Sequence, residues 1–298
     1  MHNHQMLTKD DGAVHRISGE PTVAVAFGAG GARGLAHVHI IEALNELGIK
    51  PVMISGASIG AIMGAGMAAG MEGCEIRQHV SDIFSRRSEV IGRIWKSRPT
   101  RVGEMLSGAF TLGQFNIERI LPAFLPDAIP ATFEELDIPL KIIVTDFHAQ
   151  EEAVCTSGDL FHAVAASAAI PAVFRPVHIN DRFMIDGGIF NPVPYDHLHG
   201  MADIVIGIDV VGGPSGTKED SPSTIDLIYG SSQIMMQSII AMKLRASSPH
   251  IYLRPDVSGF RVLDFFKFEE IFEKTTPIRD ELKRSIDAVM AFADKANP

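Results

Sequence analysis

Short uninterrupted apolar runs alternate with stretches of helical period along the first part of the chain. Val23 to Phe27 is apolar throughout and ends in glycine, the pattern of a buried strand, and Ile40, Ala43, Leu44 and Leu47 then fall at i, i+3, i+4 and i+7 on one helical face. Gly48 stops that helix, Val52 to Ile54 reads as a second strand, and Ile59 to Ala69 as a second helix ending at Gly70. Leu140 to Val144 and Ile204 to Ile208 are near-continuous apolar runs, as expected of strands covered on both faces. Leu160 to Ala169 reads as a helix closed by Pro171, and Thr224 to Arg245 and Pro277 to Ala291 as two more. Ile278, Leu282, Ile286 and Val289 mark the buried face of the last. The β-α-β-α order predicts an α/β fold around a parallel sheet.

Two stretches break the pattern. Between Arg77 and Pro139 a charged helical segment gives way to Gly103, Gly108 and Gly113 and then to Pro122, Pro126 and Pro130, so residues 77–139 read as a lid or insertion. Gly212 to Pro222 is a Gly/Pro/Ser loop, and residues 223–298 beyond it read as a C-terminal helical extension. Residues 1–20 are polar, with no apolar core of a secretory signal, and are expected to form a mobile tail before one domain over 21–298.

Composition narrows the function. At 298 residues and 46% apolar content the chain can bury a large core, and its formal charge of −10 argues against a general nucleic-acid binder. The two cysteines, Cys74 and Cys155, form neither a metal-ligand spacing nor a disulfide framework, so a cytoplasmic protein without a structural metal is the expectation, and the chemistry read below needs no cofactor. No uncharged apolar run approaches the ~20 residues of a membrane-spanning helix. Membrane contact is therefore expected to be peripheral.

Three glycine-rich segments carry candidate chemistry: Gly28-Ala29-Gly30-Gly31-Ala32-Arg33-Gly34, Gly56-Ala57-Ser58-Ile59-Gly60 and Asp186-Gly187-Gly188. The second has the G-x-S-x-G form of a nucleophile elbow between a strand and a helix. Alone, it is equally a serine N-cap in a glycine turn. The first segment resembles a dinucleotide loop, but Arg33 stands where the third glycine belongs, and Met53-Ile54-Ser55 offers no acid for a ribose. It is better suited to aim the Gly30 and Gly31 N–H groups at an oxyanion. Arg33 either braces the loop or attracts an anionic head group, with bracing preferred. Asp186 follows Phe183-Met184-Ile185 and emerges at a strand end; near its ordinary pKa of ~3.9 it is a poor base, and burial would raise it. Its plain alternative is a turn aspartate capping two glycines.

Taken in order, the loop with Arg33, the elbow around Ser58 and Asp-Gly-Gly at Asp186 resemble the patatin-like phospholipase family. The similarity runs from about Val23 to Asp209 and includes Gly34-Leu35-Ala36-His37, the segment Ala163 to Pro171, and Asn191-Pro192-Val193-Pro194. The resemblance implies a three-layer α/β/α sandwich and a lipid acyl hydrolase with a Ser–Asp dyad and no catalytic histidine. Carried onto this chain, Ser58 is the nucleophile, Asp186 the base, and Gly30 and Gly31 the oxyanion hole, supported by Gly28, Arg33, Gly34, Gly56, Gly60, Gly187 and Gly188. Ala29 departs from the family's usual run of glycines. The alternative is a non-catalytic lipid- or partner-binding member of the same fold.

Other residues have competing readings. His162, His178, His197 or His199 would serve a Ser-His-Asp triad, and His37-Val38-His39 has an H-x-H form, although residues two apart on a helix face different ways. Satisfied histidines are the expectation for the H-x-H pair, and the triad stands as the alternative to the dyad. Asp146 and Asp209 end strands and either approach a site or cap turns. Met63, Met67 and Met71 recur at helical spacing, as core or as an adaptable acyl pocket. Within 77–101, Arg77, Arg86, Arg87, Arg93, Lys96, Arg98 and Arg101 outnumber Asp82 and Glu89, and Phe84, Ile91, Ile94 and Trp95 fall near one helical face. That segment is either a lid or a peripheral contact with anionic lipid.

Overall fold

The structure is a computed structural model and describes residues 21–88, 90, 92, 115–214 and 221–296. Its centre is a mixed, mostly parallel sheet of β1 (Val23–Phe27), β2 (Met53–Ala57), β3 (Leu140–Asp146), β4 (Glu151–Cys155), β5 (Val177–Ile179), β6 (Arg182–Asp186), β7 (Ile204–Ile208) and β8 (Ile251–Leu253). The strands run in the order β5-β6-β3-β2-β1-β7-β8, with β4 also on β3. β8, β7, β1, β2 and β3 are parallel neighbours; β4 and the β5–β6 hairpin are antiparallel.

Side-chain alternation along β1 divides the core. Val23, Val25 and Phe27 enter the larger apolar cluster with α1 (His37–Glu46), α2 (Ile59–Ala68), α3 (Gly73–Ser85) and further helices of the same face. Ala24 and Ala26 face the smaller cluster, where Tyr195, Leu198 and Ile240 pack. Short side chains on that face leave room for the 3-10 turn Tyr195–Leu198, which lies against β1, β2 and β7. The predicted three-layer α/β/α sandwich is therefore what the chain forms, with α4 (Ile117–Ile120) and α5 (Leu160–Ser167) on the larger side, α6 (Thr224–Ala246) on the smaller, and α7 (Phe268–Thr275) and α8 (Ile278–Ala296) returning to the larger.

Several expected boundaries move for identifiable reasons. β2 begins at Met53 and runs through the polar and small residues Ser55, Gly56 and Ala57, because the Ser55 hydroxyl is satisfied by the Pro194 carbonyl at 2.9 Å. Leu47 lies outside the buried face of α1, at its C-cap, 38% exposed. A 3-10 turn, Gly31–Ala36, precedes α1. β4 was hidden by its glutamates and lies at an edge with solvent access; β8 is only three residues long. The β5–β6 turn uses Asn180 and Asp181 at φ 49° and 61°, residue types that tolerate this conformation.

The described part of 77–139 contributes to the core. Ile117, Leu121, Phe133 and Ile138 are buried in the larger cluster. Phe84 packs among Phe124, Phe265 and Phe268 and so faces inward, which removes it from the proposed lipid-facing row. Arg77 is held by Glu42 at 2.6 Å, and Arg87 lies over the Phe266 ring. Ile91, Arg93, Ile94, Trp95, Lys96, Arg98 and Arg101, like the expected tail 1–20, lie outside the described residues. Among the described residues, no helix is long and apolar enough to cross a membrane.

Candidate active site

β3 decides where the site forms. β2 pairs with its first half, ending at Ala57 opposite Ile143, whereas β6 pairs with its second half, with Asp186 opposite Val144. β4 occupies positions Ile142 to Asp146 on the other edge, so β2 and β6 meet end to end along one edge. The last residues of two strands far apart in sequence are thereby brought face to face.

Ser58 sits in the turn from β2 into α2 with φ 56° and ψ −124°, a conformation uncommon outside glycine. The turn closes only because its neighbours lack side chains: a Cβ on Gly60 would stand 2.1 Å from the Phe27 carbonyl oxygen. Ser58 Oγ donates to Asp186 Oδ2 at 2.5 Å, and both residues are buried. Asp186 Oδ1 accepts the Gly188 N–H at 2.8 Å, while its backbone is tied by Asp186 N–H to the Ala169 carbonyl at 3.1 Å and by the Thr145 hydroxyl to the Asp186 carbonyl at 3.0 Å. Burial pushes the Asp186 carboxyl up to about 6, against the lowering effect of the hydrogen bonds from Ser58 and Gly188. Gly187 passes so close to β3 that a Cβ there would lie 2.0 Å from the Ile143 carbonyl oxygen.

The glycine-rich loop after β1 approaches from the other side. Gly28 N–H donates to Ile208 O at 3.0 Å, Ala29 N–H to Pro192 O at 2.8 Å and Ala32 N–H to Val262 O at 2.8 Å. Among the described residues, no acceptor meets the N–H of Gly30 or Gly31. Gly31 has φ 59°, which favours glycine. Both line a cavity of about 80 Å³ together with Ser58 and Asp186, walled by Ile170, Pro171, Ile189, Val211, Ile228 and Met236.

Arg33 is 1% exposed and does not reach outward: Nε donates to Phe260 O at 2.8 Å, Nη1 to Val211 O and Nη2 to Gly213 O at 3.3 Å. Desolvation lowers its pKa to about 10, so it remains charged at neutral pH. It braces the loop against two distant segments, the role preferred from sequence. Gly34 lies against Ile59, where a Cβ would meet Ile59 Cγ2 at 2.1 Å, so the loop and the elbow helix pack directly on one another.

The remaining candidates lie elsewhere. His162 pairs with Asp159 at 2.7 Å, His197 with Glu152 at 3.0 Å, His178 packs on Phe183, and His199 meets Ser247. None of the four lines the Ser58 cavity. His37 and His39 are buried separately: His37 Nε2 donates to Gly28 O at 2.9 Å, and His39 Nε2 to Phe272 O at 2.8 Å while Arg77 donates to its Nδ1. Burial lowers the pKa of His37 to about 4, so it braces the glycine loop as a neutral ring. Asp146 and Asp209 accept backbone N–H groups of the turns that come after them. Met63 and Met67 are core. Cys74 and Cys155 are free thiols. Ser167 escaped separate notice in the sequence: it is fully buried, and its Oγ accepts the Ser58 N–H at 2.9 Å. A serine at the end of an apolar helix was the available signal.

Fold and site together define an α/β protein with a serine at a strained strand-to-helix turn, paired directly with a buried carboxyl. The family model for patatin-like phospholipases matches residues 25–199. The chain belongs to the patatin-like phospholipase family. It is similar to an NTE family protein of Mycobacterium tuberculosis, 34% identical over 70% of this chain and 55% of the relative. It is also similar to a lysophospholipase, nte1, of Aspergillus fumigatus, 26% identical over 84% of this chain and 17% of the relative. Among solved structures it resembles ExoU of Pseudomonas aeruginosa, with TM-score 0.38 and 15% identity over 90% of this chain and 52% of that one. The chain thus spans about half the length of its mycobacterial relative and a fifth or less of the fungal one.

Proposed function

We propose that this protein is a serine lipid acyl hydrolase that cleaves carboxylic esters through a Ser58–Asp186 dyad and an acyl-enzyme. The observation that carries the reading is the direct 2.5 Å hydrogen bond from Ser58 Oγ to a carboxyl whose pKa is pushed up to about 6. A base near that value is ionised at neutral pH yet basic enough to take a proton as a carbon–oxygen bond forms. Ser58 Oγ attacks the ester carbonyl carbon while Asp186 Oδ2 accepts its proton. The tetrahedral oxyanion is met by the Gly30 and Gly31 N–H groups and by the positive end of α2; losing one such donor typically costs ~2.7–4 kcal/mol. Asp186 returns the proton to the leaving alcohol, and the same carboxylate then activates the water that releases the acyl group.

The apolar wall of Ile170, Ile189, Val211, Ile228 and Met236 supports a hydrocarbon chain as the acyl part of the substrate. The reading retains peripheral contact with an anionic lipid surface through 77–101, with Arg77 removed from its basic residues and Phe84 from its apolar row. It is tested by treating the purified protein with a serine-reactive fluorophosphonate and by assaying phospholipid, lysophospholipid, glyceride and short-chain esters beside Ser58→Ala. Label on Ser58 and turnover lost in the variant are expected. A wild-type protein that neither labels nor turns over any ester is instead the non-catalytic binding member.

A further inference from the structure

The elbow at Ser58 has a feature outside the dyad. In the observed turn the Ser58 N–H does not face the cavity's reacting centre as a free donor; it is spent on Ser167 Oγ at 2.9 Å. That hydroxyl in turn donates to the Ile143 carbonyl at 2.6 Å. Ser167 is 0% exposed, so neither bond has water as a substitute. Ile143 is the β3 residue opposite Ala57, next to the Val144 that pairs with Asp186, and its carbonyl also lies under Gly187. Two residues further on, the Ala169 carbonyl accepts the Asp186 N–H. The end of α5 therefore grips the nucleophile turn with one residue and the aspartate strand with another.

We infer that Ser167 is a positioning residue for the acyl-transfer reaction: its hydroxyl holds the Ser58 backbone in the strained conformation that points Oγ at Asp186. The inference rests on the proposed hydrolase reading. Ser58 at φ 56° is a conformation that persists only where surrounding contacts over-determine it, and Ser167 supplies a contact from outside the elbow sequence. Its acceptor lone pair is aimed because its own proton is committed to Ile143 O. With the Ser58 N–H occupied by Ser167, that group is not available to the oxyanion, in keeping with the assignment of this role to Gly30, Gly31 and the start of α2.

The test measures the rate of Ser58 labelling by a fluorophosphonate in wild type, Ser167→Ala and Ser167→Thr, with melting temperature as the check on folding and kcat and KM for a soluble ester per labelled site. Removing the acceptor leaves a buried N–H unpaired and lets the elbow relax. Ser167→Ala is therefore expected to label roughly ten- to hundredfold more slowly, with kcat down in parallel and KM unchanged. Ser167→Thr, which keeps the hydroxyl, is expected to recover most of the rate. Wild-type labelling rates in folded Ser167→Ala, or a Thr variant as slow as the Ala variant at equal stability, overturn the inference while leaving the hydrolase reading intact. Should Ser167→Ala not fold, Ser167→Cys replaces it: a weak acceptor of similar size must label more slowly than Thr, and equal rates overturn the inference. A wild-type protein that does not label at Ser58 defeats the hydrolase reading and this inference with it.

Discussion

Replacing Asp186 by asparagine is expected to abolish hydrolysis and at the same time make the protein more stable. The carboxyl lies in an apolar cavity wall, and burial raises its pKa from 3.8 to about 6 even though Ser58 and Gly188 both donate to it. At ~1.36 kcal/mol per pH unit, keeping it ionised costs the fold about 3 kcal/mol at neutral pH. Asparagine has the same shape, accepts the Gly188 N–H and carries no charge to desolvate, so it removes that cost. Near 2–4 °C per kcal/mol for a domain of this size, the melting temperature should rise by about 6–12 °C. The pH dependence identifies the cause. Below 3.8 the carboxyl is protonated in both folded and unfolded chains and the cost vanishes; between 3.8 and about 6 the unfolded chain ionises first and the cost grows; above that it is constant. Thermal unfolding of both proteins, followed by circular dichroism at about pH 4 and pH 8, should show a small difference at the lower pH and the full gain at the higher. A variant that melts below wild type at the higher pH, or differs from it equally at both, would falsify the claim that a desolvated carboxylate is stored at this site.

The same carboxyl sets the pH profile: kcat/KM for a soluble ester should fall as pH drops through about 6, because protonated Asp186 cannot accept the Ser58 proton. That limb should remain after alanine replacement of His162, His178, His197 and His199, and its disappearance in any one of them would point to a histidine base instead. Ser58→Ala and the Ser58→Ala/Asp186→Asn double variant should show the same residual rate, since nucleophile and base act as a unit; additive losses in steady-state assays would argue against the pair. Gly31→Ala should lower kcat by at least about a hundredfold, because a Cβ at φ 59° would stand 2.3 Å from Val262 O and displace a proposed oxyanion donor; near-normal turnover would remove Gly31 from the hole. Sedimentation with anionic vesicles should weaken with salt and with Arg86, Arg87, Arg93 and Lys96 changed to Gln, while soluble-ester turnover is retained; binding indifferent to both would exclude the basic segment as the contact.

Much of the frame was legible without coordinates. Continuous or near-continuous apolar runs announce β1, β3 and β7 because strands covered on both faces have little polar side, and the elbow glycines announce a turn whose crowding excludes a Cβ, as at Gly60 against Phe27 O. These are local requirements, written where they act. β4, β5 and β8 were not legible, being short or charged and stabilised by a neighbour's edge rather than by their own pattern. The inward turn of Phe84 was equally hidden, since an aromatic on a basic helix suits a membrane as well as a cluster of phenylalanines from the far end of the chain.

The chain by itself determined the α/β alternation around a parallel sheet, the strand-to-helix turn that carries Ser58 and the residue types available for acyl transfer. Only the tertiary structure decided that Ser58 and Asp186, 128 residues apart, touch. That contact depends on β6 joining β3 antiparallel, on the half-edge that β2 leaves vacant, and register of this kind is set by the packing of whole strands rather than by the sequence of either one. The supports are non-local for the same reason. Arg33 is buried because carbonyls near Val211 and Phe260 converge on it, and Ser167 reaches Ser58 N–H because α5 ends beside the elbow. A buried charge or hydroxyl needs partners with fixed geometry, and a linear pattern of residue types records the need without saying which distant groups will meet it.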